Sequence, residues 1–170
     1  CESQRAWHAG RSFWAGETDI NSRSLGIELD NRGDHPFSNK QMRALIALCG
    51  DIAVRNNIPA HRVLGHSDVA IGRKTDPGAR FDWRRLALSG VGVWPDLKTC
   101  HLNETVEMDP VVGKDAPRLR AQFAKQAADY GYDPSLGLEQ LLSSLRQHFA
   151  PHRSGPLSRY DFAMLAALNA

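Results

Sequence analysis

The 170-residue chain has few cysteines, no long apolar run and almost no excess of charge of one sign. Its three cysteines lack metal-knuckle spacing, which excludes a disulfide-rich fold and a zinc ribbon. No window approaches the roughly 18 consecutive apolar residues that a membrane-spanning helix needs. The 21 Lys and Arg against 19 Asp and Glu leave a formal net charge of +2. Because nucleic-acid binders usually carry a clustered basic excess, we expect no nucleic-acid partner.

The residues that are present make an ordinary globular composition, with 42% hydrophobic and 24% charged residues. This balance disfavours collagen-like, disordered and coiled-coil classes. The polar start of the chain carries no signal peptide in the sequence as given. Since the first residue is Cys1 and not Met, we expect a processed product or part of a longer chain. A cysteine at this position also leaves open a lipid-anchored N-terminus.

The clearest helix signal of the first half follows residue 38. Residues 38–41, Ser-Asn-Lys-Gln, form a capping box of the S-x-x-Q type. Apolar residues then recur at helical spacing until Asn57 and Pro59 end the pattern. Cys49 lies on this stripe, so we expect a packed thiol there. The stripe comprises Met42, Leu45, Ile46, Cys49, Ile52 and Ala53.

Two short strands and a second helix are predicted on either side of this helix. Residues 24–29 alternate polar or small residues with apolar ones, as in a half-buried strand. Residues 62–66 indicate another short strand, which leads into a charged, glycine-bearing loop at 67–78. Loops of this kind often carry the chemistry of a protein. Residues 81–86 begin a short helix.

The second half of the chain has a helical pattern. Residues 96–114 show no convincing period and are interpreted as a linker. Apolar stripes predict three amphipathic helices, at 115–130, 135–149 and 158–168. Roughly 55 residues in such helices are enough for a small bundle. The predicted organisation has three parts: a first domain at 1–95, a linker at 96–114 and a helical domain at 115–170.

The loop at residues 65–78 concentrates groups that can carry chemistry. It contains His66, Asp68, Lys74 and Asp76. An imidazole and a carboxylate ten residues apart can hold one zinc ion if the loop folds back, and a nearby lysine can stabilise a developing oxyanion. From composition and spacing alone an alternative stays open, in which both aspartates are turn residues and Lys74 is a solvated charge.

The same residues resemble those of a known family. Residues 65–68 (Gly-His-Ser-Asp), 72–78 (Gly-Arg-Lys-Thr-Asp-Pro-Gly) and 81–83 (Phe-Asp-Trp) are similar to the second half of type 2 zinc-dependent N-acetylmuramoyl-L-alanine amidases. These enzymes are relatives of the peptidoglycan recognition proteins. Three further segments agree in order, at 5–10, 21–28 and 90–95. The helices after residue 115 resemble the small peptidoglycan-binding-type domain of envelope members of the family.

The resemblance implies an α/β fold, in which a mixed β-sheet flanked by helices is followed by a small three-helix bundle. It implies that His66 and Asp76 are two of three ligands of a Zn²⁺ cofactor. Glu28 matches the acid that orients or deprotonates the zinc-bound water, and Lys74 matches the cation beside the tetrahedral oxyanion. The implied reaction, in cell-wall turnover or recycling, is hydrolysis of the amide between N-acetylmuramic acid and L-alanine of the stem peptide.

One zinc ligand of the family pattern has no counterpart in this sequence. It is a His on an early strand ahead of the motif at 5–10, and the sequence begins four residues before that motif. Three explanations stay open. The upstream segment is a separate chain or is absent from this sequence, another His substitutes, or the protein is a non-catalytic peptidoglycan binder. We expect the first, and therefore amidase activity once the upstream His is supplied. A more distant alternative is an interaction module whose helical domain binds another protein.

The resemblance also suggests residues that contact a peptidoglycan or muropeptide substrate. Trp7 and His8 belong to a segment that borders the cleft in relatives, although for His8 a hydrogen-bonded structural role is equally open. Asn21 and Arg23 are predicted to contact the stem peptide. Trp94 is expected in the core, as large aromatic side chains usually are.

The implied location is the bacterial cell envelope, in the periplasm, with an outer-membrane lipoprotein tethered through Cys1 as one form of it. A separate N-terminal fragment of the same protein is a further expected partner. The helical region at 115–170 is predicted to bind sacculi weakly and thereby to raise the local enzyme concentration.

Overall fold

The computed structural model describes residue 2, residues 4–97 and residues 110–170. In this part of the chain the regular structure is helical, with α1 at Asn39–Asn56, α2 at His66–Val69, α3 at Trp83–Leu88, α4 at Ala116–Tyr130, α5 at Leu138–Phe149 and α6 at Arg159–Leu168. Two short 3-10 helices lie at Ile20–Ser22 and Ala60–Arg62. None of the described helices has the length and apolar character that a membrane crossing requires.

Helix α1 begins and ends where the sequence predicts. The Ser38 side chain accepts a hydrogen bond from the Gln41 backbone N–H at 3.2 Å, which satisfies one free donor of the first turn. Asn57 ends the helix in the left-handed conformation, with φ 53°. Cys49 is half-buried, as expected for the stripe, and burial raises the pKa of its thiol. The stripe packs in a cluster formed by Met42, Leu45, Phe81, Trp83, Leu86 and Val91.

The predicted mixed β-sheet is not confirmed in the described residues. They contain two isolated β-bridges, between Trp14 and Glu17 and between Pro110 and Ser158. Residues 24–29 are extended, as their alternation predicts, but no described segment pairs with them as a second strand. A strand depends on a neighbour that pairs its N–H and C=O groups, so the alternation alone does not make a sheet here.

The strand predicted at residues 62–66 is not confirmed: Val63 and Gly65 are extended, but no described segment pairs with them. The 3-10 helix ends at Arg62, and α2 begins at His66. The start of α2 is set by the carboxylate of Asp68, whose Oδ2 accepts the Gly65 backbone N–H at 2.7 Å and closes the first helical turn. His66 therefore lies at the start of a short helix and not at the end of a strand.

The three helices predicted in the second half are present, each starting one to three residues later than expected. At the start of α6, the Ser158 hydroxyl and backbone N–H both donate to the Asp161 carboxylate at 2.8 Å. Arg146 of α5 donates to both oxygens of Asp161, at 2.8 and 2.7 Å, in a pair that is almost fully buried. This bidentate pair ties α5 to the start of α6.

The three C-terminal helices share a hydrophobic core with loops of the first half. One cluster of buried side chains includes Trp14, Val69, Phe123, Leu145 and Met164. The Trp14 ring meets the Tyr132 ring edge-on at 5.0 Å, and α5 contacts both α2 and α3. Trp94 packs against this cluster and the cluster beneath α1, as predicted for a core residue. Most of the predicted linker, residues 98–109, lies outside the described residues, so the predicted domain bounds stay a prediction.

Candidate active site

A cavity of about 710 Å³ opens between α1, the extended segment after residue 24 and the loops on either side of α2. Part of its lining is apolar and comes from the cluster beneath α1, including Leu45, Phe81 and Trp83. Its polar lining residues include His8, Glu28, His66 and Asp76. A concave apolar surface with a few convergent polar groups is typical of a small-molecule site.

His66 and Asp76 meet at this cavity. Nδ1 of His66 and Oδ2 of Asp76 are 3.0 Å apart, and Nε2 of His66 lies 3.0 Å from the Ala9 carbonyl oxygen. The backbone links the two residues as well, because the Ser67 N–H donates to the Asp76 carbonyl oxygen at 2.9 Å. The loop thus folds back on itself, and both side chains remain partly exposed.

Arg73, to which the sequence assigned no role, is a cation beside His66. Its guanidinium donates to the carbonyl oxygens of Ala9 and Arg11, and it lies 3.5 Å from Nε2 of His66. A planar guanidinium with five donors suits several contacts of this kind. Its place in the motif at residues 72–78 was the signal that could have identified it.

The donor set at His66 and Asp76 matches zinc in kind and is incomplete in number. An imidazole nitrogen and a carboxylate oxygen are preferred zinc ligands, and their 3.0 Å separation brings both within reach of one ion. Catalytic zinc takes three protein ligands. Within the described ranges, no third His, Cys, Asp or Glu joins the pair. The metal-binding roles of both residues therefore stay a prediction.

The two residues predicted to be catalytic differ in position. Glu28 is exposed and lines the same cavity as His66 and Asp76. Lys74 is exposed two residues before Asp76, and it is not one of the residues that line the cavity. Its flexible four-carbon stem leaves the ammonium group free to move in solvent. The structure therefore brings Glu28 to the cavity and leaves Lys74 on the loop, outside the cavity lining.

Trp7 and His8 are neighbours with different surroundings. Trp7 is 80% exposed, and the Arg5 guanidinium lies 4.5 Å from the centre of its ring. His8 lines the cavity, but its Nε2 lies 2.8 Å from the Ser24 hydroxyl and its Nδ1 lies 3.0 Å from the Ala6 carbonyl oxygen. The ring of His8 is thus already hydrogen-bonded, whereas much of the Trp7 side chain is open to solvent.

Asn21 and Arg23 also differ in what they contact. Asn21 is buried, and its Oδ1 accepts the backbone N–H groups of His8 and Ala9 at 3.0 and 2.8 Å. These bonds hold the segment that borders the cavity. Arg23 is exposed and pairs with Glu17 at 3.1 Å. Contact of Asn21 or Arg23 with a stem peptide stays a prediction, and the observed bonds of Asn21 shape the backbone.

A second His–Asp pair is buried between α2, which carries Asp68, and α5, which carries His148. Oδ2 of Asp68 lies 2.7 Å from Nδ1 of His148, and Oδ1 of Asp68 accepts the Tyr132 hydroxyl at 3.1 Å. Both His148 and Asp68 are almost inaccessible to solvent. Tyr132 and His148 lie 64 and 80 residues away from Asp68 in the chain, so no local sequence signal links the three residues.

Aromatic rings enclose this buried pair. The His148 ring stacks on Trp83 and on Phe149, with ring centres 3.8 and 3.9 Å apart. Burial, followed by the charge of Asp68, raises the pKa of Tyr132 well above its ordinary value, so its hydroxyl stays a donor. The same two causes raise the pKa of Tyr130.

Comparison with known proteins agrees with these motifs. Residues 1–79 match the Amidase_2 family, described as N-acetylmuramoyl-L-alanine amidase. N-acetylmuramoyl-L-alanine amidase AmiD of Escherichia coli (strain K12) is 36% identical over 166 residues, which cover 88% of this chain and 58% of AmiD. 1,6-anhydro-N-acetylmuramyl-L-alanine amidase AmpD of Enterobacter cloacae is 43% identical over 83 residues, which cover 49% of this chain and 44% of AmpD.

The fold agrees with the same class. A solved structure of E. coli AmiD with the substrate anhydro-N-acetylmuramic acid-L-Ala-D-gamma-Glu-L-Lys matches with a TM-score of 0.86 and 34% identity. The match covers 99% of this chain and 69% of that one. The chain belongs to the Amidase_2 family of N-acetylmuramoyl-L-alanine amidases. It spans about half the length of the relatives AmiD and AmpD.

Proposed function

We propose that this chain acts in a peptidoglycan hydrolase that cleaves the amide between N-acetylmuramic acid and the L-alanine of the stem peptide. The observation that carries the proposal is the approach of His66 and Asp76 to 3.0 Å on a cavity of about 710 Å³. Membership of the amidase family supports it. The names of the relatives also favour a muropeptide substrate, with an anhydro-muramic acid end.

In this proposal the side chains of His66 and Asp76 would hold a zinc ion as two of its ligands. The third is the upstream His that the resemblance implies, which completes the set that catalytic zinc requires. When bound, zinc lowers the pKa of a water molecule towards roughly 7 and polarises the scissile carbonyl. Arg73 contacts His66 and the backbone beside it, and the Ser67 N–H donates to the Asp76 carbonyl oxygen, so each contact supports one proposed ligand.

Glu28 and Lys74 supply the proton and charge chemistry in the same proposal. Glu28 lines the cavity, and a carboxylate there can accept a proton from the attacking water and deliver it to the leaving amine. Lys74 would move its ammonium group towards the carbonyl oxygen, where a positive charge stabilises the tetrahedral oxyanion.

The substrate contacts are proposed at His8, which lines the cavity, and at three residues near it in sequence that do not line it, Trp7, Asn21 and Arg23. The exposed Trp7 ring can stack on a sugar face, and His8 borders the cavity beside it. Arg23 is an exposed cation that can meet a carboxylate of the stem peptide. Asn21 acts through the backbone of the segment that it holds.

The test measures zinc content and release of stem peptide from purified peptidoglycan in the complete natural polypeptide. We expect a chelator to abolish release and zinc to restore it. Asp76→Ala should remove both zinc and activity, whereas the matched control Asp30→Ala, at an exposed position outside the cavity lining, should change neither. Full activity of Asp76→Ala would refute the assignment.

A second candidate is a muropeptide-binding protein without catalysis. It is favoured by one observation, the absence of a third zinc ligand among the residues that the structure describes. Under this alternative the complete polypeptide would bind an anhydro-muropeptide with an affinity that a chelator does not change, and it would release no peptide.

The remaining parts of the proposal concern location and architecture. The chain is proposed to act in the bacterial cell envelope, in the periplasm. One form of this proposal has a lipid attached to Cys1, which mass spectrometry of the natural N-terminus tests. The helical region is proposed to bind sacculi weakly, which a sedimentation assay measures. The mixed β-sheet is supported by the extended segment at 24–29, whose backbone pairs with no other segment that the structure describes and could accept a further strand.

A further inference from the structure

We propose that α5 is a positioning element of the active site, because Ser144 and Gln147 hold the backbone on which His66 and Asp76 lie. The proposal rests on the proposed function, since the placement of these two side chains has a catalytic consequence only if both bind zinc. Under this proposal, residues of the second half of the chain are part of the active site. If residues 115–170 only tethered the enzyme to sacculi, they would not need to contact the site.

The first contact is with the residue that follows His66. The Ser144 hydroxyl donates to the Ser67 carbonyl oxygen at 3.0 Å, and Ser144 is buried. Ser67 lies in α2, which has four residues and therefore too few internal hydrogen bonds to be rigid by itself. The buried bond from the twelve-residue helix α5 sets the position of α2.

The second contact is with the residue that precedes Asp76. Nε2 of Gln147 donates to the Thr75 carbonyl oxygen at 2.7 Å, and Gln147 lines the cavity together with Asp76. Ser144 and Gln147 are three positions apart on α5, so they lie on one face of the helix. A single helix face therefore contacts the backbone next to both proposed ligands.

The two backbone segments that α5 contacts, at Ser67 and at residues 75–76, are also hydrogen-bonded to each other. The Ser67 N–H donates to the Asp76 carbonyl oxygen at 2.9 Å. Ser67 thus contacts α5 through its carbonyl group and Asp76 through its N–H group. Loss of either contact with α5 should loosen this bond, and with it the 3.0 Å approach of His66 Nδ1 to Asp76 Oδ2.

A buried anchor keeps α5 in place. His148, the residue after Gln147, lies 2.7 Å from the Asp68 carboxylate and stacks between Trp83 and Phe149. Since α5 is locked against both α2 and α3, it cannot slide without breaking this enclosed network. The contacts of Ser144 and Gln147 therefore start from a fixed support.

The test uses the complete natural polypeptide and four single substitutions. Gln147→Met removes the contact with Thr75, and Ser144→Ala removes the contact with Ser67 together with a longer one of 3.5 Å to Asp68 Oδ1. Both keep the side chain close to its original size. Gln122→Met and Ser143→Ala make the same changes at exposed positions of α4 and α5 and serve as matched controls.

Two measurements report position and not overall stability. In the zinc-free protein, the Ser67 amide should exchange its hydrogen roughly fivefold to tenfold faster in both contact variants, which is the scale of one lost hydrogen bond. The amides of α1 should keep their exchange rates. Zinc affinity, measured by competition with a metal indicator, should fall roughly tenfold in the same two variants. The two controls should leave all these values unchanged.

The outcomes separate this inference from the proposed function. Unchanged Ser67 exchange in both contact variants would overturn the positioning role, and so would an equal acceleration in α1, because that would report a global loss of stability. If the natural polypeptide binds no zinc, the proposed function fails, and the exchange of the Ser67 amide by itself then decides whether α5 holds the loop.

Discussion

The cavity pair of His66 with Asp76 and the buried pair of His148 with Asp68 consist of the same two side chains at similar distances, 3.0 and 2.7 Å. Their exposure differs. The side chains of His66 and Asp76 are 17% and 56% exposed, whereas those of His148 and Asp68 are 3% and 0% exposed. Helix α2 carries one member of each pair, two residues apart.

The difference indicates that unoccupied acceptor positions, more than residue type, separate the proposed ligand site from a structural anchor. The carboxylate of Asp68 accepts the Gly65 N–H and the Tyr132 hydroxyl in addition to its contact with His148. A buried carboxylate with these partners stabilises a fold but has no position left for a ligand. Asp76 is half-exposed and can accept a further partner.

The largest effect is expected for His66→Ala, which tests the cavity pair. Zinc content and the release of stem peptide should both fall to background, because catalytic zinc needs its protein ligands. The free energy of unfolding of the zinc-free protein should change by less than about 1 kcal/mol, since the pair is partly exposed. His61→Ala, at an exposed histidine, is the control and should keep zinc and activity. Zinc retained by His66→Ala would remove the distinction between the pairs.

The next effect is expected for Asp68→Ala, which tests the buried pair. It should lower the free energy of unfolding by about 3–5 kcal/mol, because it leaves His148 and Tyr132 buried without their partner. Urea denaturation at neutral pH measures this change. Asp129→Ala, which removes an exposed pair with Lys125, should cost no more than about 0.5 kcal/mol. A similar small cost at Asp68 would show that the network does not stabilise the fold.

Glu28→Ala sharpens the comparison within the cavity. Zinc should remain bound, because Glu28 is not a proposed ligand, while turnover should fall roughly a hundredfold, the scale of a lost general base. Steady-state kinetics and metal analysis of the same preparation measure both quantities. Glu139→Ala, an exposed change on α5, is the control. Loss of zinc in Glu28→Ala would make Glu28 a ligand.

A smaller effect on the free energy of unfolding is expected from Tyr→Phe substitutions at two neighbouring tyrosines, Tyr132 and Tyr130. Tyr132→Phe removes the hydroxyl that donates to Asp68 and should cost about 1 kcal/mol of stability. Among the described residues, the buried hydroxyl of Tyr130 has no hydrogen-bond partner, so Tyr130→Phe should be neutral or stabilising. Thermal or urea unfolding of the two variants measures the contrast, and equal costs would contradict it.

Alkaline pH provides the finest test of the buried network. Burial and the charge of Asp68 raise the pKa of both Tyr132 and Tyr130 in the folded state. The folded chain therefore binds these protons more tightly than the unfolded chain, and the resulting stability is complete below the unfolded pKa of about 10. It declines as pH rises above that value. The free energy of unfolding between pH 8 and 11 should fall less steeply in Tyr132→Phe than in the wild type, and parallel slopes would refute the assignment.

Helices were predictable because their signals are local. The cap at Ser38, the left-handed Asn57 and the stripe between them all act within a few residues. The approach of His66 to Asp76 was predictable for a related reason, since ten residues of loop with glycine can fold back. The two strands were not, because pairing depends on a partner that the alternation of residues 24–29 does not specify.

By itself the sequence determined the helices α1 and α3 to α6, the histidine and carboxylate of the loop, and the resemblance to an amidase. Only the tertiary structure decided that Asp76 faces the cavity while Asp68 is buried, and that Gln147 contacts Thr75 across 72 residues. The physical reason is the distance along the sequence over which each interaction acts. Capping and apolar periodicity act over one or two helical turns, whereas contacts between distant residues depend on how whole helices pack and leave no period in the sequence.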